Sequence, residues 1–231
     1  MGNFRRPRPT PRTTLNREIQ MDSNHRAFVM PLADLHVPGT GDEERDLIAR
    51  ALFTIEAQIG ERMGWDAPPT LMALVKLGGG TGPISGRLIP YAAWMAGGET
   101  PADDLAMLAA CFPAPTVFHR PGAPAQAPAG LVGFALMCES WGLFHDEVNP
   151  LHEVAARAGL RTFRDDPARM EARNVLAVDV HGHAYSVLRR RGQDTPSLTH
   201  RADPGELGNI TRHLASLTRA ALAGAFPYER L

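Results

Sequence analysis

The sequence predicts an α+β domain: an antiparallel or mixed sheet of about four to five strands, with three main helices packed mainly on one face. Three observations carry this. Residues 174–191, NVLAVDVHGHAYSVLRRR, alternate apolar and polar positions about a central glycine. Residues 41–63 and 204–223 repeat apolar residues at three- and four-residue spacings. Residues 70–77 and 131–138 are short apolar runs bounded by Gly and Pro, which suits buried strands better than helices.

The 174–191 stretch reads as a β-hairpin. His181-Gly182 forms a two-residue loop in which Gly supplies a positive φ without steric cost. That loop sets Val180 opposite His183, Val178 opposite Tyr185, and Leu176 opposite Val187. One face of the hairpin is then apolar, and packing that face on a core fixes the register.

In chain order, Ala27–Met30 reads as a short strand, stopped by Pro31 and Pro38. In helix 41–63, Ile48, Leu52, Ile55, Ile59 and Met63 form the apolar stripe. Asp42, Glu43 and Glu44 sit at its positive end, and Gly64 stops it. Strand 70–77 follows, then Gly78 to Pro83. That glycine run has no Gly-Lys-Ser/Thr, and Pro83 lacks an amide, so it reads as a connector rather than a phosphate loop. Residues 87–98, with Tyr91 and Trp94, read as a short helix or docking segment. Thr100-Pro101-Ala102-Asp103 starts a helix over 101–112: Thr caps, Pro takes the first turn, and the acid sits three beyond the cap. Leu105, Leu108 and Phe112 are its apolar face. Five prolines between 113 and 130 mark a long exposed connection and a candidate subdomain boundary. Strand 131–138 leaves Glu139 and Trp141 at its exit, and a short helix is expected near 151–158. In helix 204–223, Asp203 caps, Pro204 opens and Glu206 completes a capping box. Leu207, Ile210, Leu214, Leu217 and Ala221 form its stripe, and Gly224 ends it.

Composition narrows the functional classes. With 44% hydrophobic and 21% charged residues, the 231-residue chain has the balance of a globular protein. Its formal charge is −1, but unevenly spread. Arg5, Arg6, Arg8, Arg12 and Arg17 precede the first acid, so the other 19 basic residues face 25 acidic ones. Residues 1–20 read as a disordered basic arm and 21–231 as a single domain. Cys111 and Cys138 are too few for a disulfide framework, and the basic start leads into Pro and Thr rather than an apolar signal core. No run approaches the ~18 apolar residues of a membrane helix. A cytoplasmic setting without membrane contact is the expectation.

Several constellations invite chemistry. Glu139, His181-Gly182-His183 and Asp194 resemble the JAMM metalloprotease signature, in which zinc is held by two His and an Asp with an upstream Glu. The resemblance implies Glu139 as general base and His181, His183 and Asp194 as ligands. It departs from the family at Arg191, where the family has Ser, and at Gly182, where it has Ser or Thr. His145-Asp146-Glu147 and His152-Glu153 approach the helical zinc motif, but Ala156 stands where its second His belongs. Ser140 and Cys138 lie outside any nucleophile elbow, and Cys138 reads as a core thiol. Arg189-Arg190-Arg191 on a strand point to alternate faces and fit pairing with acids across the sheet.

Gly64-Trp-Asp-Ala-Pro-Pro69, Cys138-Glu-Ser-Trp141, and Glu171-Ala-Arg173 leading into Ala177-Val-Asp179 and Arg190-Arg191-Gly192 together resemble uncharacterised proteins of actinobacteria and their phages, over most of residues 45–192. The resemblance implies an intracellular, phage- or mobile-element-related role and no particular activity. The expectation is a non-catalytic binding or assembly protein without cofactor or resident metal. Its partner would be another protein or a second copy met through helix 204–223. One alternative is a zinc hydrolase of JAMM type. Another is a nucleic-acid-associated protein using the arginine arm.

Overall fold

A computed structural model describes residues 43–78, 82–95, 97–112, 114, 130–142 and 169–226. The basic arm, the expected strand at 27–30, the expected helix near 151–158 and the His145–Glu153 cluster lie outside the described residues. Helix α1 spans Glu43–Met63 and is followed by β1 at Thr70–Lys76 and β2 at Ile84–Leu88. Helix α2 covers Pro101–Ala110, β3 Leu131–Gly142, β4 Met170–Asp179, β5 Ala184–Arg190, β6 Ser197–Arg201 and α3 Asn209–Leu222. The strands form one antiparallel sheet in the order β2-β1-β3-β4-β5-β6, drawn from both sides of the Pro-rich stretch.

The sheet is the middle layer, because alternate residues of its strands carry apolar groups to both faces. Leu71, Ala73, Phe134, Leu136, Leu176 and Val178 turn to one side and pack with Leu105 and Leu108 of α2 and Leu214, Leu217 and Ala221 of α3. Met72, Leu74, Ala135, Met137, Val175, Ala177, Tyr185 and Val187 turn to the other and pack with Ile48, Leu52, Phe53 and Ile55 of α1. Two of the three helices share a face, and α1 covers the opposite one. A strand apolar on both faces cannot be satisfied from one side.

The α+β class holds, with more strands than expected: six. The two additional strands, β2 and β6, are short edges. In β2 only Ser85 is buried and in β6 no residue is, so neither carries the apolar run that marks a central strand. At α2 the expected cap is realised in full: Thr100 Oγ1 accepts from the Asp103 amide, and the Asp103 carboxylate accepts from the Thr100 amide. At the C-terminal helix the cap is realised differently. Asp203 accepts from the Gly205 amide and closes a 3₁₀ turn over Pro204–Leu207, and Gly208 separates that turn from α3. Glu206 pairs with Arg201 instead of completing a box. The whole apolar stripe of helix 204–223 lies in the α2–α3 core, so self-association through that stripe would compete with the fold itself.

The hairpin forms one register step away from expectation. Val178 pairs with Ala184, Ala177 with Tyr185 and Val175 with Val187. The loop is Val180-His181-Gly182, with Gly182 at φ 91° and the Asp179 carboxylate accepting both the His181 and His183 amides at 2.9 Å. A three-residue loop ending in a left-handed glycine replaces the two-residue turn. The step sends Val178 to the α3 face and Tyr185 to the α1 face, where the sequence pairing had placed them together.

A bulge in β3 reconciles the two faces. Leu74 pairs with Gly133 and Val75 with Leu131, leaving Val132 outside the β1 ladder. Gly133 next to it admits no side chain: a Cβ there would stand 2.1 Å from the Val178 carbonyl oxygen and 2.8 Å from the Asp179 Cα. Gly133→Ala should therefore lower stability by about 1–3 kcal/mol or more, as over-packing does. Urea unfolding of Gly133→Ala against the wild-type chain measures it.

Candidate functional site

Polar side chains gather at two opposite ends of the sheet, both on the α1 face. Glu139 pairs with Arg173, and Gly133 with Asp179. The two ends are thus six residues, or about 20 Å, apart along β3 at ~3.3 Å per residue.

At the first end an ion network is buried. Glu56 of α1 is fully buried, and Arg173 of β4 is 2% exposed. Arg173 donates through Nε and Nη2 to Glu139 Oε1 at 2.9 and 2.8 Å, through Nη1 to Glu56 at 3.4 Å, and to the Gly64 carbonyl. Arg189 grips both Glu56 oxygens at 2.7–2.9 Å and also reaches the Asp194 carbonyl. The Asp66 amide donates to the other Glu139 oxygen at 2.6 Å. Arg173 passes under Gly60 of α1, where a Cβ would lie 2.5 Å from its Nη1. The Trp65 ring covers Arg173 at 4.8 Å and Arg191 at 5.5 Å, and Arg191 pairs with Glu171. The Asp66, Glu139 and Glu171 carboxylates come within 4.8 Å of one another. Two of the three are already neutralised by guanidinium groups, so this end reads as a clamp between helix and sheet.

The second end is a half-open cleft of about 280 Å³ lined by Glu44, Arg45, Asp179, His181 and His183. That volume sits near the lower limit of small-molecule sites, about 300 Å³. The loop chemistry that closes the hairpin also builds the cleft. Asp179 is 1% exposed and takes four donors: the His181 and His183 amides, Tyr185 Oη at 2.8 Å and His183 Nδ1 at 3.2 Å. With Nδ1 facing a carboxylate, His183 turns its Nε2 toward Arg45 Nη2, 3.2 Å away. Glu44 accepts from Lys76 at 2.6 Å and lies 3.4 Å from His181 Nε2. The Lys76 hydrogen bond holds the Glu44 carboxyl below its ordinary range. Behind the cleft His200 stacks on His183 and Tyr185, with centroids at 5.4 and 5.1 Å. Burial, with the Arg45 and His183 charges, pulls the His200 imidazole down.

The JAMM-like set is divided between these ends. His181 and His183 belong to the cleft, whereas Glu139 lies in the clamp and Asp194 beside Arg189. Glu139 is held by Arg173 rather than offered to a water. Cys138 is buried, its thiol pushed up to about 11 by burial with the Glu139 charge adding, so it is no thiolate nucleophile near neutrality. Ser140 is exposed on the strand. Arg189 and Arg191 pair with Glu56 and Glu171, so the expected acid partner lies on a helix in one case and across the sheet in the other.

Asp179, Arg45, Tyr185 and His200 escaped the sequence reading as site residues. Asp179 had a usable signal: an Asp followed by X-His-Gly at a hairpin is a side-chain acceptor for the loop amides. Arg45 and His200 had none, because distant segments bring them there. No family model matches the chain, nor does any curated protein or solved structure. No helix among the described residues is long and apolar enough to cross a membrane.

Two predictions follow from these ends. Arg173→Met leaves Glu56 and Glu139 short of a buried partner and should cost about 3–5 kcal/mol by urea unfolding. Exposed Arg50→Met should cost about 0–1 kcal/mol. Separately, His200, with a folded-state value below the ordinary 6.5, binds fewer protons folded than unfolded. His213, lowered by burial and Arg212, does the same. Stability should therefore fall as pH drops through 6.5 toward the folded values, and His200→Gln should flatten that slope in thermal melts.

Proposed function

We propose that the chain is a non-catalytic binding protein whose ligand occupies the cleft between the first turn of α1 and the β4–β5 hairpin. The supporting observation is the state of the cleft's carboxylates. Asp179 spends its oxygens on the loop, Tyr185 and His183, and Glu44 is engaged by Lys76 and His181. Among the described residues, no Ser, Thr or Cys lines the cleft to serve as a nucleophile. The Asp179–His183 pair is spent on fixing the imidazole so that its Nε2 accepts from Arg45, not on activating a nucleophile.

Purified protein should show no hydrolysis of p-nitrophenyl acetate or p-nitrophenyl phosphate above buffer, and His183→Ala should leave that background unchanged. Elemental analysis of protein made without an affinity tag should find no stoichiometric zinc. Turnover that His183→Ala removes, or one zinc per chain lost in the same variant, would replace the binding role with a hydrolytic one.

A further inference from the structure

At the outer rim of the clamp, one large ring and one carboxylate are left facing outward. Trp141 follows Glu139 by two positions on β3, so it shares the α1-side face, and it sits directly opposite Glu171 of β4. The Glu171 and Asp66 carboxylates lie within 4.8 Å of each other, which sets Trp141 and Asp66 on two sides of Glu171. Trp141 is 54% exposed, although the Arg169 guanidinium lies over its ring at 4.6 Å. Glu139 and Glu171 are met by Arg173 and Arg191. Asp66 is exposed and spends its amide on Glu139, but among the described residues no donor meets its carboxylate.

An indole beside an open carboxylate suits a proline- and arginine-rich segment. Proline rings dock on aromatic faces, a guanidinium stacks on them, and a carboxylate alongside pairs with the guanidinium charge. The rings here already accept such groups, since Trp65 carries Arg173 and Arg191 over its face and Trp141 carries Arg169. The chain itself holds a segment of this chemistry: Pro7, Pro9 and Pro11 alternate with Arg6, Arg8, Thr10 and Arg12, and no acid precedes Glu18. Beyond that basic start the balance is acidic, 19 basic against 25 acidic residues. Length permits the contact. Residues 13–42 reach up to about 100 Å, whereas α1, which separates Glu43 from this end of the sheet, is about 32 Å long. We propose that the Trp141–Asp66 surface is the docking site of this chain's own segment 5–12, with proline rings on the open part of the Trp141 ring and an arginine paired with Asp66. A nucleic acid fits it less well, because the carboxylate that lacks a partner repels phosphate. The surface lies at the far end of the sheet from the cleft and is independent of the role proposed there.

Limited trypsin cleavage of the full chain after Arg12 tests this, because a docked segment is withheld from the protease. Cleavage in the wild-type chain should be about threefold or more slower than in Trp141→Ala or Asp66→Asn, as it follows the undocked fraction. Leu88→Ala, at another exposed apolar residue, should leave the wild-type rate unchanged. In NMR, replacing Arg5, Arg6, Arg8 and Arg12 together with Gln should move the indole N–H resonance of Trp141 and leave that of buried Trp94 in place. The protection should not vary with protein concentration. Equal cleavage in wild type and Trp141→Ala, or a Trp141 resonance unmoved by the arginine substitutions, overturns the docking. Protection that grows with protein concentration gives the segment to a neighbouring copy and overturns the assignment within one chain.

Discussion

The Glu56–Arg173 contact is the constraint on which the arrangement of layers depends. A guanidinium that is 2% exposed and a carboxylate that is fully buried tolerate each other only where every remaining oxygen and N–H is met. Here Glu139, Arg189 and the Gly64 carbonyl complete the set, so that α1, β3, β4 and β5 cannot slide past one another. Apolar packing of Ile48, Leu52 and Ile55 supplies attraction between α1 and the sheet, but attraction of that kind is non-directional. The ion network sets the angle and depth at which the helix lies, and Gly60 gives the guanidinium room to pass beneath it.

That fixed helix has a consequence at its other end. The first turn of α1 carries Glu44 and Arg45, and its placement brings them against the β4–β5 loop. Lys76 of β1 meets Glu44, and Arg45 meets His183. One end of the helix is thus an internal clamp with its charges matched, and the other borders an open cleft with Asp179, His181 and His183. The same sheet face carries both, separated by the apolar middle of β3 and β4.

The Asp179 loop links fold to site. A carboxylate that caps two loop amides fixes a three-residue turn, and the turn fixes which residues of β5 face α1. Tyr185 and Val187 then join the α1 core, and His183 stands where its ring meets Asp179. Had the loop been two residues long, every side chain of β5 would have exchanged faces.

Much of the scaffold was legible in the residues. The stripe at Ile48, Leu52, Ile55 and Ile59, the Thr100–Asp103 cap and the apolar runs that became β1 and β3 are local patterns, and local physics decides them. The edges β2 and β6 were not legible, since short half-exposed strands are made by their neighbours rather than by their own composition. The hairpin was visible, but its register depended on a side chain folding back on its own loop. Among site residues, the two histidines near residue 182 stood out, and tempting partners at 139 and 194 proved to lie at the far end of the sheet. The partners they do have, Arg45 and His200, come from segments 138 and 17 residues from His183. Periodicity reports on neighbours within a few residues. Which distant charges share a cleft is set by how the layers are stacked and by the ion pair that locks them.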